Sequence, residues 1–371
     1  MKDYAVDLLT RMVRIYSPTG REDEISNLLV SEMKSLGLRS YKDEVGNAVG
    51  EFGTGKPTIL LCGHMDTVRG ELPIKLERNK LYGRGAVDAK PALAAMVVAS
   101  SILFEKGFSG KIIVVGAVDE EGKGKGIKHI INKRLSADYA VFGEPSGVDN
   151  ITIAYKGSLH LKIICKTETG HSSASWLFDN AIEKTFELWN LLQNIHFSQE
   201  KPESKFYALT SCLTGIKGGS FYSMVPSRCE IHIDFRIPPS LSSMMLLREV
   251  EQVIEAYKLS HEGVVIDLEI EDACEPFETD KRSLLVKALT RSIRKVRGKT
   301  IQLLRKTGTG DMNLFGRSMS IPVVSYGAGE ARLDHTVNEC VDIDEYVDSI
   351  LVYCEGLRKL SELHKRLKDR R

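Results

Sequence analysis

The order of strand-like and helix-like segments predicts an α/β protein with a mostly parallel central sheet flanked by helices. Between residues 58 and 142, short apolar runs typical of buried strands alternate with segments that have helical spacing of apolar residues. Such alternation indicates a parallel sheet with helices on both faces. From about residue 158 the rhythm changes, and the first pattern resumes after residue 271. We therefore expect two domains, because 371 residues exceed the usual single hydrophobic core.

The first part of the chain supplies most elements of this sheet. Apolar residues three and four apart predict helices over 3–16 and 22–36. Further along, the pattern predicts strands at 58–62, 81–88, 111–117 and 139–142, and helices at 91–106 and 128–132. Ligands of open α/β sheets bind outside the carboxyl ends of the strands. Polar residues that follow these strands are therefore the first candidates for chemistry.

Residues 158–271 are predicted to form an inserted domain. The predicted order is strand 158–166, helix 175–192, strands 207–216 and 228–236, helix 241–257 and strand 264–270. This β-α-β-β-α-β order matches a ferredoxin-like unit. The parent domain, 1–157 and 272–371, continues with helix 281–295, strands 302–304 and 321–326, and a helix from 344 to about 368.

Composition excludes several classes of function. The chain is 42% hydrophobic and 27% charged, as is usual for globular proteins, and its net charge of +1 gives no electrostatic argument for nucleic acid. No apolar stretch approaches the roughly 20 residues of a membrane span. Seven cysteines without CxxC spacing, several in apolar runs, indicate reduced thiols and a cytoplasmic location. Any metal is then expected on histidine and carboxylate ligands.

The segment Gly63-His64-Met65-Asp66 stands at the carboxyl end of the first buried strand. In an extended chain, residues i and i+2 project to the same side. Asp66 could therefore accept a hydrogen bond from one imidazole nitrogen of His64 and leave the other for a metal. The alternative is an ordinary hydrogen-bonded pair at the surface. These two residues alone do not decide between them.

Two more strand-like runs end in acids. Asp88 follows the glycine-rich turn Gly83-Arg84-Gly85, where it could bind metal or cap the next helix. Asp119, Glu120 and Glu121 follow the strand at 111–117, and adjacent acids repel one another unless a cation lies among them. One glutamate could bind metal while the other acts as a base; the alternative is an exposed acidic loop.

Two further residues complete a candidate ligand set. Glu144 directly follows the strand at 139–142, and His335 lies far downstream in Leu333-Asp334-His335. Together with the earlier candidates they give two histidines and three carboxylates, namely His64, Asp88, Glu121, Glu144 and His335. This set suits two zinc-like ions that share one carboxylate.

These motifs, in this order, resemble the M20 family of co-catalytic zinc peptidases and deacylases over nearly the whole chain. The resemblance implies that Asp88 bridges two divalent ions, zinc first and cobalt as a possible substitute. His64 and Glu144 would complete one site, and Glu121 and His335 the other. It also implies that Glu120 is the general base and that Asp66 orients His64.

In the inserted domain, the resemblance implies a dimerisation (lid) role and a homodimer. His171, in Gly170-His171-Ser172, resembles a family histidine that reaches across the dimer to stabilise an oxyanion; the alternative is a buried helix-capping histidine. Arg236 matches a family arginine that binds a substrate carboxylate, with a strand-end salt bridge as the alternative.

A finer resemblance is to the M20 subgroup that releases lysine or ornithine from an acidic amino-group carrier protein. The residues that carry it are Gly124-Lys125-Gly126-Ile127-Lys128-His129 and the segment 306–313. It implies that the scissile amide joins a glutamate γ-carboxyl of the carrier to the α-amino group of the amino acid, in lysine or arginine biosynthesis.

Asp311 and Glu330 are then candidates for binding the substrate ammonium, and Lys123, Lys125 and Lys128 could face the acidic carrier. An ordinary solvated loop is the alternative for these lysines.

Two positions depart from the family pattern. Pro91 replaces a glycine and could tighten the start of the following helix. Ser223 replaces an asparagine before Val225-Pro226, so a substrate contact by that residue is only a candidate.

Rival functions are an acetylornithine or succinyl-diaminopimelate deacylase, an M20 dipeptidase or carboxypeptidase, and a relative that binds without hydrolysis. Retention of Glu120 and of every metal position argues against the last.

Overall fold

The structure is a computed structural model that describes residues 1–201, 203–219 and 222–368. Its contacts divide the chain into two compact units. The first contains Met1–Ala154, Glu278–Arg305 and the chain from Gly310 onward, and the second contains Tyr155–Phe277 and Lys306–Thr309. The predicted boundaries were 157/158 and 271/272, and the short segment 306–309 was assigned to the parent domain.

The elements follow one another in chain order. The α-helices are α1 Lys2–Arg14, α2 Asp23–Ser35, α3 Lys90–Glu105, α4 Lys125–Asn132, α5 Ala181–Leu192, α6 Ser243–Ser260, α7 Leu284–Arg297, α8 Asp311–Met319 and α9 Ile343–Lys368. The first strands are β1 Arg39–Lys42, β2 Ala48–Thr54, β3 Thr58–His64, β4 Lys75–Glu77, β5 Lys80–Tyr82, β6 Gly110–Ala117, β7 Tyr139–Gly143 and β8 Asn150–Tyr155. The remaining strands are β9 Gly157–Lys166, β10 Thr210–Gly218, β11 Arg228–Ile237, β12 Val265–Cys274, β13 Phe277–Glu278, β14 Gln302–Lys306, β15 Val323–Ser325 and β16 Cys340–Asp342.

The first unit is built on a central sheet with the order β1-β2-β6-β3-β7-β15-β8-β13, in which β14 also pairs with β8. The four central strands β6, β3, β7 and β15 are parallel, as predicted, and β2 joins them antiparallel. Every residue of β3 is buried, because helices cover both faces of such a sheet. A small sheet of β16, β5 and β4 accompanies it.

Two glycines allow α3 to lie against the carboxyl ends of β3 and β7. A Cβ atom at Gly63 would stand 3.1 Å from Leu93 Cβ, and one at Gly143 would stand 3.0 Å from Ala92 Cβ. Both distances are shorter than ordinary van der Waals contact, so the helix could not approach as closely over larger residues. This close packing sets the position of the loops that follow both strands.

The second unit contains an antiparallel sheet with the order β10-β11-β9-β12. Alternate residues of β9, including Leu159, Leu161 and Ile163, are buried in a core with residues of α5 and α6. The observed element sequence is β9-α5-β10-β11-α6-β12, which is the predicted β-α-β-β-α-β order. Among the described residues, the helices include none that is long and apolar enough to cross a membrane.

Several predicted elements differ from the structure. The helix predicted over 175–192 begins only at Ala181, where the Asn180 side chain accepts the N–H of Ile182, and a 3-10 helix over Ser172–Leu177 precedes it. The strand predicted at 207–216 begins at Thr210. Helix α8 and strands such as β2 and β8 were not predicted. In β2, glycines at positions 50 and 53 interrupt the apolar alternation that would have marked a strand.

Candidate metal-binding active site

Three of the predicted ligand segments come together at the carboxyl edge of the central sheet because the strands that carry them are in register. In the parallel pairing of β3 with β7, Gly63 lies opposite Gly143, so that His64 and Glu144 both follow at the same edge. In the pairing of β3 with β6, His64 lies opposite Ala117, three residues before Glu120. The strand order therefore places these three segments side by side.

Asp88 lies between two histidines, one on each carboxylate oxygen. His64 Nε2 is 3.1 Å from Asp88 Oδ1, and His335 Nε2 is 3.0 Å from Asp88 Oδ2. His335 Nε2 also lies 2.8 Å from Glu121 Oε1. One donor atom each from His64, Asp88 and Glu121 lies within 4.8 Å of the others, so these residues could hold a metal ion. A carboxylate that offers its two oxygens to different histidines is the arrangement that a bridging ligand between two ions requires.

The helix-capping alternative for Asp88 is wrong. The N-cap of α3 is Ala89, and no side chain caps this helix end. Pro91 lies within the first turn of α3, where its missing N–H leaves no intrahelical hydrogen bond unmade. The Asp88 side chain is therefore available to the two histidines.

Asp66 does not hold His64 in the way that the sequence predicted. His64 Nδ1 lies 2.8 Å from the backbone carbonyl oxygen of Asp66, while the nearest carboxylate oxygen is 3.7 Å away. The buried carboxylate instead accepts the backbone N–H groups of Glu120 and Glu121, each at 3.1 Å, and the hydroxyl of Thr19 at 2.8 Å. Asp66 thus orients His64 mainly through its main chain, and its side chain holds the glutamate pair.

The loop that carries Glu120 and Glu121 is shaped by the residue before them. Asp119 has a left-handed φ of 62°, and its carboxylate accepts the backbone N–H groups of Lys123 and Lys125. A Cβ atom at Gly122 would stand only 2.2 Å from Asp119 Oδ1, so this turn requires glycine at that position. The acidic segment is therefore an ordered turn, and the alternative of a merely exposed acidic loop does not describe it.

The electrostatics of the site favour a cation. Burial raises the pKa of Glu120 to about 7, and the negative charges of Asp88 and Glu121 add to this effect. Burial and the charge of Asp88 also raise the pKa of Glu121. Hydrogen bonding to Asp88 raises the pKa of His335 to about 9. The acids raise the pKa of the histidines, so the site without a metal favours bound protons. A divalent cation would supply the same positive charge in their place.

Asp311 lies beside Glu120 at the start of α8. Its side chain is buried, and burial together with the charge of Glu120 raises the pKa of Asp311 well above its usual value. A Cβ atom at Gly310 would stand 3.4 Å from Glu120 Oε1. Glu330, the other candidate for ammonium binding, is exposed and forms an ion pair with Arg332. Of the two candidates, Asp311 is therefore the one that is enclosed beside Glu120.

The three lysines that follow the glutamate pair are exposed, at the start of α4 and just before it. Lys128 Nζ donates a hydrogen bond to the carbonyl oxygen of Lys123. We call Lys123, Lys125 and Lys128 the basic rim.

In the second unit, the backbone joins His171 to Ser223. The N–H of Ser172 donates to the carbonyl oxygen of Ser223 at 3.0 Å, and His171 forms an isolated β-bridge with Met224. His171 is exposed, and its Nδ1 accepts the N–H of Ser173 at 3.1 Å. It caps the 3-10 helix as the alternative proposed, but it is not buried. A neutral ring whose Nδ1 is an acceptor carries its proton on Nε2, which can donate to a further group.

Arg236 forms the ion pair that was the alternative to carboxylate binding. Its Nε and Nη2 both donate to Asp234 Oδ2, at 3.0 and 2.8 Å. The other oxygen of Asp234 lies 3.2 Å from His160 Nε2. The guanidinium is thus held against β11 by a carboxylate of its own strand.

Three buried residues next to the ligands were missed in the sequence. Lys90 donates to the carbonyl oxygens of Met12 and Ile15 at the end of α1, and burial lowers its pKa to about 7. Arg84 and Glu339 form a buried ion pair beside Asp88. In the sequence, Arg84 was marked only by the glycines that flank it, and Glu339 only by its closeness to His335. Neither feature is specific to a functional residue.

Sequence comparison relates nearly the whole chain to known hydrolases. The model of peptidase family M20/M25/M40 matches residues 60–359. A [LysW]-lysine/[LysW]-ornithine hydrolase of Sulfurisphaera tokodaii is 33% identical over 356 residues, which cover 95% of each chain. A Thermococcus kodakarensis relative that bears this name with a provisional qualifier is 36% identical over 365 residues, covering 97% of this chain and 93% of its own.

Solved structures share the fold. The aminopeptidase PepT of Bacillus cereus superposes with a TM-score of 0.83 at 21% identity, covering 97% of this chain and 99% of PepT. YXEP of Bacillus subtilis, described as a dinuclear metal-binding peptidase of the M20 family, gives a TM-score of 0.75 at 13% identity, covering 97% of this chain and 98% of its own. The chain is an amide hydrolase and belongs to peptidase family M20/M25/M40.

Proposed function

We propose that this protein hydrolyses the amide that links lysine or ornithine to the γ-carboxyl group of a small acidic amino-group carrier protein. The names of the relatives, which align along nearly the whole chain, support this substrate. The observation that carries the chemistry is the placement of His64 and His335 on opposite oxygens of Asp88. The reaction would serve lysine or arginine biosynthesis in the cytoplasm.

Two divalent ions are the proposed cofactors, with zinc the first expectation and cobalt a workable substitute. Asp88 would bridge them, with His64 and Glu144 on one ion and Glu121 and His335 on the other. The donor set of imidazole nitrogens and carboxylate oxygens fits these ions. When bound, they would supply Lewis-acid charge that polarises the amide carbonyl and lowers the pKa of a water molecule.

Glu120 is the proposed general base. Its raised pKa of about 7 supports this role, because a base works best when its pKa lies near the operating pH. Its carboxylate would accept a proton from the attacking water and return it to the leaving amine. The two hydrogen bonds that Asp66 accepts from the glutamate loop would hold this carboxylate in place.

The second unit would supply substrate contacts and the interface of a homodimer. His171 would donate its Nε2–H to the oxyanion in the partner subunit's active site, and the acceptor role of Nδ1 supports this tautomer. Arg236 would bind a substrate carboxylate, although Asp234 competes for two of its donors. Ser223, whose backbone is tied to the His171 loop, would lie near the same substrate.

Recognition of the amino acid and of the carrier would involve the first unit. Asp311, buried beside Glu120, is the stronger of the two candidates for the side-chain ammonium, since Glu330 is exposed and paired with Arg332. The basic rim would attract the acidic carrier. Lysine and ornithine differ by one methylene, which is worth only about 1–3 kcal/mol in a pocket, so both amino acids are expected as products.

The deciding experiment measures the release of amino acid by mass spectrometry from two substrates in parallel. One is a carrier protein that bears γ-linked lysine or ornithine, and the other is free N-acetylornithine, each with zinc or cobalt and with a chelated control. We expect rapid release from the carrier conjugate alone. Release from the small amide alone would assign the protein to the acetylornithine-type deacylases, and release that survives chelation would contradict the metal chemistry.

A further inference from the structure

Glu339 is a buried carboxylate that accepts hydrogen bonds from the backbone of the Asp88 loop. It lies directly before β16, and 2% of its surface is exposed. Its Oε1 accepts the N–H of Val87 at 3.0 Å and the N–H of Asp88 at 3.1 Å. One carboxylate oxygen thus fixes the peptide groups that carry the proposed bridging ligand.

Arg84 connects the same carboxylate to the His335 loop. Its Nη1 donates to Glu339 Oε2 at 2.9 Å and lies 3.4 Å from the carbonyl oxygen of Thr336, the residue after His335. Its Nε donates to the carbonyl oxygen of Gly70 at 2.8 Å. Arg84 is 8% exposed and Glu339 is 2% exposed, so the ion pair between them is shielded from water. The planar guanidinium can hold several acceptors at fixed angles, which a lysine could not do.

The main chain reinforces this connection. Strand β16 pairs antiparallel with β5, with Cys340 opposite Tyr82, and the N–H of Gly83 donates to the carbonyl oxygen of Glu339. The segment that leads to Asp88 and the segment that leaves His335 are therefore held together, although Asp88 and Glu339 are 251 residues apart in the chain.

A buried ion pair is not in itself an argument for stability, because removing two charges from water costs several kcal/mol per ion. An apolar pair of similar size would often stabilise a core as well, but it could not accept the two N–H groups of the Asp88 loop. Glu339 and Arg84 together contact both loops that carry Asp88 and His335, and Arg84 also donates to the carbonyl oxygen of Gly70. Their common effect is to fix how those loops sit relative to each other.

We infer that Arg84 and Glu339 are a pair of positioning residues that holds Asp88 and His335 at the spacing needed by one of the two metal ions. The inference rests on the proposed function, since it assigns metal binding to these two ligands. Neither positioning residue is expected to touch substrate. Loss of the pair should weaken the ion that His335 would bind more than the other, because Asp88 would serve both ions, whereas Arg84 contacts the loop of His335, which would serve only one.

The test compares the zinc affinity of Glu339→Gln and Arg84→Lys with that of the unmodified protein. Glutamine has nearly the same shape, but it loses the charge that pairs with Arg84. We expect each protein to bind two zinc ions per chain. In each variant the affinity for one of these ions should be about 10–100-fold lower, the range found when an outer partner of a metal ligand is removed. Titration against a chromophoric chelator measures both ions without a substrate. The substrate KM should change little, while kcat at limiting zinc should fall.

Glu32→Gln is the matched control, since Glu32 also pairs with an arginine, Arg11 of α1, but has no contact with a ligand loop among those described. It should bind both ions normally. Wild-type affinity for both ions in Glu339→Gln, with only a lower melting temperature, would overturn the inference. If Glu339→Gln fails to fold, Arg84→Lys decides in the same way. An unmodified protein that binds no zinc or cobalt would contradict the proposed function instead.

Discussion

The carboxylate of Asp66 accepts the backbone N–H of Glu120 at 3.1 Å, and its second oxygen accepts that of Glu121 at the same distance. One side chain at the end of β3 therefore fixes the peptide groups of the proposed base and of a proposed metal ligand after β6. The charge and hydrogen bonds of its neighbours hold the pKa of Asp66 below its usual value, although burial opposes this. Asp66 is thus an ionised acceptor at neutral pH.

Asp66→Asn should reduce turnover by misplacing the glutamate loop. The amide oxygen of asparagine can accept one N–H, but its amide nitrogen would face the other N–H and leave it unsatisfied, at a cost of about 1–3 kcal/mol. We expect kcat at saturating zinc to fall about 10–100-fold. Asp43→Asn is the control, because Asp43 also accepts several backbone N–H groups, those of Val45, Gly46 and Asn47. Equal turnover in the two variants would contradict this role of Asp66.

The positions of several candidate metal ligands could be predicted from the sequence because strand ends determine where they lie. His64, the glutamate pair and Glu144 each follow an apolar run, and parallel strands bring such positions to one edge. The contacts of Glu339 could not be predicted, since its partners are backbone N–H groups 251 residues away with no side-chain signature. For the same reason Asp66 was assigned to the imidazole, when its carboxylate binds the main chain of Glu120.

The ion pair of Glu32 should make stability depend on pH in the acid range. Glu32 accepts hydrogen bonds from Arg11 at 2.6 Å and from Tyr4 at 2.8 Å, and the contact with Arg11 lowers the pKa of Glu32 below its ordinary value of 4.5. A lowered pKa stabilises the folded state above 4.5, and this contribution is lost as the pH falls through the folded-state value.

Urea unfolding of the unmodified protein and of Glu32→Gln between pH 3 and pH 7 checks this dependence. The unmodified protein should be more stable at pH 7, and the difference should shrink toward pH 3. A difference that is constant with pH would mean that the charge of Glu32 does not contribute.

Ser223→Asn should stabilise the second unit slightly. Ser223 has a φ of 70°, in the left-handed region that asparagine tolerates much better than most residues with a Cβ atom. The gain should be a fraction of a kcal/mol, seen as a small rise in melting temperature. Ser227→Asn is the control, because Ser227 lies outside that region. A lower melting temperature for Ser223→Asn alone would show that the hydroxyl has a contact that outweighs the strain.

Reversing the charge of the basic rim should weaken the reaction with the carrier protein only. The triple change of Lys123, Lys125 and Lys128 to glutamate should lower kcat/KM for the carrier conjugate about tenfold or more and remove its salt dependence, because charge complementarity acts mainly on the association rate. Hydrolysis of a small amide should not change. Equal effects from three reversals elsewhere in the first unit, at Lys34, Lys80 and Lys106, would show a general effect of net charge.

The proposed role of His171 across a dimer can be tested by complementation. His171→Ala and Glu120→Gln should each be nearly inactive, with losses of about 10²–10⁴-fold for the base. When the two chains are co-expressed with different tags, a mixed dimer would contain one intact site, formed by His171 of one chain and Glu120 of the other. With random pairing, about half of the dimers are mixed, and each mixed dimer has one intact site out of two. About a quarter of the normal activity should therefore be restored. If purified mixed dimers stay inactive, His171 does not act in the partner's site. If sedimentation finds only monomers, its Nε2–H must serve its own chain or have no catalytic role.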